Sequence, residues 1–173
     1  MKILLFFILF FSSLLAAQDS SGWVSLQRPV PYVEKEGDDQ QDIWVVFSKK
    51  IGKEKFLVRF PDDPVCLHSL EGMQISSSQK GERFHLFVQE NENSSVFDQR
   101  VQKIQALPET TLIQAERVSS NTFDLLYQME GKWVWERIFV TPNYVYTLQT
   151  CSDKFMVENH RIFFDSLYVE VLF

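Results

Sequence analysis

Histidine, cysteine and glycine are the scarce residues of this chain. Three histidines in 173 residues leave few places for imidazole chemistry. The six glycines form no G-x-G-x-x-G, no phosphate-cradling loop and no G-x-S-x-G. The fingerprints of dinucleotide-binding, P-loop and α/β-hydrolase proteins are therefore missing. Basic residues are outnumbered, 17 Lys and Arg against 23 Asp and Glu, for a net charge of −6. A nucleic-acid partner requires a basic face, and this balance argues against one. No polybasic patch is present to attract anionic lipid. Past the first seventeen residues no long apolar run occurs, so no stable membrane anchor is expected once those residues are removed.

Those first residues form a block of their own. Lys2 is followed by an apolar run from Ile3 to Phe11, then Ser12 and Ser13, then Leu14 to Ala17 before Gln18 and Asp19. A charged start, an apolar middle and small residues before a polar segment mark a secretory signal. The run is shorter than the roughly 20 residues that span a bilayer. Residues 1–17 are read as the signal, 18–41 as an N-terminal arm with the acidic loop Glu34–Gln41, and 42–173 as one domain. The expected location is the periplasm or the exterior of a Gram-negative cell.

Alternation and turn residues divide the domain. Strands are expected at 43–47, 56–60, 73–78 and 83–89, the last two joined by Lys80-Gly81. A helix is expected over 95–107, capped by Ser95 and ended by Pro108. Four further strands, 112–118, 122–129, 133–141 and 144–149, are separated by turns short enough to require antiparallel neighbours. A second helix over 153–165, capped by Ser152, and a short strand or tail at 168–173 complete the chain. Strands with two main helices predict an α+β domain, an antiparallel sheet covered by helices.

The candidates for chemistry are few. Cys66-x-His68, with Asp62 and Asp63 just before it, offers donors to a metal if His85 joins from another strand, but zinc needs three or four converging groups. Cys66 beside a histidine also has the form of a thiol nucleophile and its base. The plainer reading is a polar turn after a strand. His160 falls on an apolar helical stripe, where a histidine at the edge of the core is the ordinary case. Cys66 and Cys151 allow one disulfide after export; it would close about 85 residues and contribute roughly 4–5 kcal/mol in the chain-entropy model. The alternative is two small packed thiols. Within 133–141, Trp135 and Arg137 share a face and form the candidate interaction surface, while Glu136 points the other way. Asn93-Ser94-Ser95 matches a glycosylation acceptor. No catalytic, metal or cofactor site is assigned, and no cofactor is expected.

The stretches Lys55–Pro61, Trp135–Leu148 and Phe163-Phe-Asp-Ser-Leu167 resemble the PsbP/Mog/DcrB-type α/β/α sandwich over residues 43–173. The Phe-Pro strand end, the Arg-bearing strand turning into Tyr-x-Leu, and the closing Phe-x-Asp-Ser carry the likeness. Leu167 replaces the usual aromatic, and Gln18 stands where the DcrB-type proteins have a lipidated cysteine. The chain is also similar in character to small exported proteins of chlamydial type. The resemblance implies an antiparallel sheet between helices and an accessory or binding role. The leading expectation is thus an exported, non-enzymatic protein that binds another envelope or secreted protein. The alternative is an exported hydrolase or metal-dependent enzyme using His68, His85 and nearby acids.

The signal reading predicts that the protein recovered from the envelope fraction has an intact mass lacking residues 1–16 or 1–17. Retention of Met1 in that fraction would replace the cleaved signal with an uncleaved anchor.

Overall fold

The computed structural model describes residues 26–29, 43–69, 72–92, 95–155 and 158–172. The signal, the acidic loop, Met156 and the Asn93-Ser94 acceptor lie outside these residues. Among the described residues the chain forms eleven strands and two helices. They are β1 (Leu26–Pro29), β2 (Ile43–Ile51), β3 (Glu54–Phe60), β4 (Val65–Ser69), β5 (Gly72–Gln79) and β6 (Glu82–Glu90). Then come α1 (Val96–Gln105), β7 (Thr110–Arg117), β8 (Thr122–Met129), β9 (Lys132–Val140), β10 (Tyr144–Ser152), α2 (Glu158–Phe164) and β11 (Tyr168–Val171).

Two antiparallel sheets result. The larger has the order β4-β5-β6-β10-β9-β8-β7, the smaller β1-β2-β3-β11. Hairpin chemistry builds most of the first. Lys80 and Gly81 have φ of 49° and 84°, and Glu130 and Gly131 have 52° and 78°. Positive φ at both central residues is the type I′ turn, whose twist matches that of the strands it joins. Glycine supplies the second position without a Cβ clash.

The larger sheet buries both faces, each against a different layer. On one face Met73, Ile75, Phe84, Leu86, Val88, Tyr146 and Leu148 meet Phe47, Phe56, Val58 and Phe60 of the smaller sheet. The Phe56 and Tyr146 rings are 5.6 Å apart across this interface. Phe163 of α2 fills the same core, 5.3 Å from Phe60 and 5.4 Å from Phe84. On the other face α1 lays Ile104, Val101 and Phe97 over Phe123, Leu125, Val134, Ile138 and Val145. Fully burying one such side chain stabilises by about 1.5–3 kcal/mol relative to exposing it.

This architecture corrects the expected fold class. The protein is mostly β, with strands in 61 % and helix in 14 % of the structure, and is not an α+β or α/β/α sandwich. Helix α1 does cover one face, but the opposite layer is chiefly a second sheet. Its strands β3 and β11 pair Leu57 with Tyr168, a contact between distant parts of the chain that local periodicity does not encode. The expected helix over 153–165 shrinks to the seven residues of α2, and its proposed cap Ser152 belongs to β10. Cys66 and His68, read as a turn, lie in β4.

The expected disulfide is also absent: neither Cys66 nor Cys151 is disulfide-bonded. Cys66 faces the core between the sheets, whereas Cys151 packs with the cluster beneath α1. Three strand spacings, roughly 14 Å, separate β4 from β10. Disulfide Cα atoms lie within about 7 Å of each other.

The meander over 122–152 matches its expected strands closely, and β9 is interior, between β8 and β10. Its Trp135 ring sits 4.9 Å from Phe164 of α2 and is half-buried. Trp135→Ala is expected to lower stability by about 3 kcal/mol. Urea melts of the variant test this; a loss under about 1 kcal/mol would remove Trp135 from the packed core.

Candidate functional site

Strand β9 presents charged chemistry on both of its faces. Glu136 shares its phase with Val134 and Ile138, so alternation directs it into the apolar layer beneath α1, where it is fully buried. A buried carboxylate requires donors. Arg100 of α1 supplies two, with Nε 2.8 Å from Oε2 and Nη2 bonded to Oε1. The Tyr127 hydroxyl of β8 and Gln149 Nε2 of β10 each donate to Oε1 at 2.6 Å. Two strands and a helix thus converge on one side chain of the strand between them. Burial alone would raise the Glu136 carboxyl, but the bonds and charge of Arg100, helped by Tyr127 and Gln149, hold it below the usual range. Burial and the Glu136 charge push the Tyr127 phenol up. Arg100 loses to burial and gains more from Glu136, so its cation is reinforced.

The opposite face of β9 carries Trp135 and Arg137. The Arg137 guanidinium donates to both Asp124 oxygens at 2.8 and 2.9 Å, and to Asp165 beyond α2 at 3.0 Å. Its cation lies 5.7 Å from the Phe164 ring centroid. The Asp124 bonds, ahead of the cost of burial, raise its pKa. The two residues of the candidate interaction surface therefore come together, on one helix. Both act on α2: Trp135 packs against its Phe164, and Arg137 holds its C-terminal end.

A third convergence ties the two sheets together. Glu54 begins β3 in phase with Phe56, Val58 and Phe60 and is fully buried. Tyr146 donates to its Oε2 at 2.8 Å, Asn143 to its Oε1 at 2.9 Å, and the Thr141 hydroxyl lies 2.8 and 3.0 Å from the two oxygens. Burial, then the bond to Glu54, raises the Tyr146 phenol.

The histidines do not converge. His68 pairs with Met73 and so faces the core side of the larger sheet; its Nε2 is 2.9 Å from Lys49 Nζ and 3.9 Å from Cys66 Sγ. Cys66 is 2 % exposed, which closes the thiol to a substrate. His85 pairs with Ser76 and faces the other side. It shares a shallow depression of about 260 Å³ with Asp62, Asp63, Ser76, Ser78 and Arg83. Burial, then the Arg83 charge, lowers its pKa to about 4. Among the described residues no three His, Cys, Asp or Glu side chains are placed to hold a metal.

Glu54, Arg100, Tyr127 and Gln149 were not singled out by the sequence. The signal for Glu54 was present, since alternation with Phe56 and Val58 places it inward. Comparison with protein-family models, with curated proteins and with solved structures finds no match.

Arg100→Met is expected to cost about 3 kcal/mol at pH 7, because Glu136 is left buried without its cation. Burial then raises the Glu136 pKa above its unfolded value. A carboxyl shifted upward loses stability as pH rises from the unfolded towards the folded pKa, so the deficit should shrink when the pH is lowered from 7 to 5. Urea melts of both proteins at the two pH values check this, and a deficit independent of pH would show that Glu136 is not the responsible group.

Proposed function

We propose that this chain is an exported, non-enzymatic accessory protein that binds another envelope or secreted protein. The observation that carries the reading is the open edge of the larger sheet. Among the described residues strand β7 has no neighbour beyond it in the sheet order, and residues 113–117 are all exposed. Ile113 is 47 % exposed and Val118, just past the strand, 53 %. Exposed edges recruit extended segments of other chains by strand addition, with the backbone giving affinity and alternate side chains giving specificity. The irregularity between Leu112 and Gln114, with Glu116 and Arg117, limits indiscriminate pairing and favours a selected partner.

The use made of the ionisable groups also supports a binding role. Glu54, Glu136 and Arg137 are each held by several partners within the fold. The alternative enzyme has less support, because His68 and His85 lie on opposite faces of one sheet.

The test is capture of partners by the full exported chain from its native envelope, repeated with Ile113→Lys and Val118→Asp. The expected outcome is at least a tenfold loss of the captured partner with an unchanged melting temperature. Equal capture by both variants would remove β7 as the binding edge.

A further inference from the structure

Helix α2 rests on a polar seat that the core does not satisfy. His160 is 2 % exposed, and neither ring nitrogen makes a hydrogen bond. Its ring stands edge-on to Phe84 at 5.8 Å. Phe84 is flanked across the sheet by Ser77 of β5 and Thr150 of β10, whose hydroxyls are buried and also unpartnered. The Trp44 ring lies 6.4 Å from Phe84, and its indole N–H has no acceptor. Asn159, next to His160, has an unpartnered Oδ1. Apart from the Thr110 hydroxyl, every buried polar side-chain atom without a partner among the described residues belongs to this group. Each such atom costs about 1–3 kcal/mol. Their concentration around Phe84, on which α2 packs, lowers the cost of lifting this helix.

We propose that α2 is an acid-released cover: protonation of His160 unseats the helix and uncovers Phe60, Phe84 and Trp135, the rings on which its own aromatic side chains pack. The charged groups around the ring set the direction. Among the described residues Glu82 of β6 is the one carboxylate in ion-pair reach, its Oε2 3.6 Å from Nε2, too far for a hydrogen bond. The residues that β2, β5 and β10 place around Phe84, namely Trp44, Ser77 and Thr150, are uncharged. Arg59 of β3, with Glu158, Arg161 and Asp165, lines an open depression of about 540 Å³ beside α2. Arg137 of β9 holds Asp165 at 3.0 Å. An imidazolium in the seat would thus have Glu82 at ion-pair distance from one nitrogen and a second N–H without an acceptor, against full burial of its charge. Released into water, it would be hydrated.

Burial lowers the His160 pKa from 6.5 to about 4. For a histidine shifted downward, the stability of the seated state is complete above the unfolded pKa. It declines as pH falls from about 6.5 to about 4. Between pH 7.5 and pH 5 the opening equilibrium of α2 should rise about 30-fold, taking an ordinary histidine pKa for the released helix.

The experiment is amide hydrogen exchange of residues 158–164 in the full exported chain at both pH values, expressed as protection factors, with His160→Phe alongside. The expected result is an approximately 30-fold loss of protection at pH 5 in the wild type and none in His160→Phe. A change below about threefold in the wild type overturns the proposal. So does an equal loss in His160→Phe, which would assign the effect to His85 or to the carboxylates. If that variant does not fold, NMR titration of the wild-type His160 ring decides. Loss of α2 protection that tracks protonation of the ring supports the device, and a ring that becomes protonated while α2 keeps its protection overturns it.

Discussion

The ladder between β6 and β10 is the constraint on which the rest of the structure depends. It runs from Tyr144 opposite Glu90 to Cys151 opposite Arg83. Strands β4 to β6 form one hairpin-linked group and β7 to β10 another, with α1 between them in the chain. Without this pairing each group would keep an unsatisfied edge and too little apolar surface to cover it. With it, one sheet of seven strands gains two broad faces. The adjoining β9–β10 ladder sets Gln149 opposite Glu136, and Tyr146 of β10 faces Phe56 of the smaller sheet.

Each face then has a different cover, tied down by a buried carboxylate. Glu136 links three strands to α1, and Glu54 links the smaller sheet to the β9–β10 turn. Such pairs are weak sources of net stability, because desolvation of the charges offsets most of their attraction. Their effect is geometric: only one placement of each layer satisfies all the donors. Apolar packing supplies the driving force, and the carboxylates select the register in which it acts.

The same arrangement accounts for the functional reading. Glu54, Glu136 and Arg137 are engaged between layers, and the proposed binding edge is the outer strand β7. The seat of α2 is the exception. There the helix is held by Phe163, Phe164 and the Arg137–Asp165 pair, while the polar atoms below it stay unmatched. The Phe163-Phe-Asp-Ser166 run that suggested a family likeness is the docking sequence of this helix. Its rings enter the core, Asp165 meets Arg137, and the Ser166 hydroxyl accepts the Arg59 amide at 2.9 Å.

Local physics was legible in the sequence wherever the contacts are close along the chain. The hairpins at Lys80-Gly81 and Glu130-Gly131 follow from turn chemistry, and the two faces of β9 follow from alternation. The opposite orientations of Glu136 and Arg137 follow from the same period of two. Other features lie between residues far apart, and periodicity carries no information about them. The β3–β11 pair, the arrival of Arg100 over Glu136 and the separation of Cys66 from Cys151 are of this kind. An apolar stripe specifies only that something must cover it. Whether a helix or a second sheet does so is settled by which distant segment buries its own stripe there, and only the tertiary structure decided that.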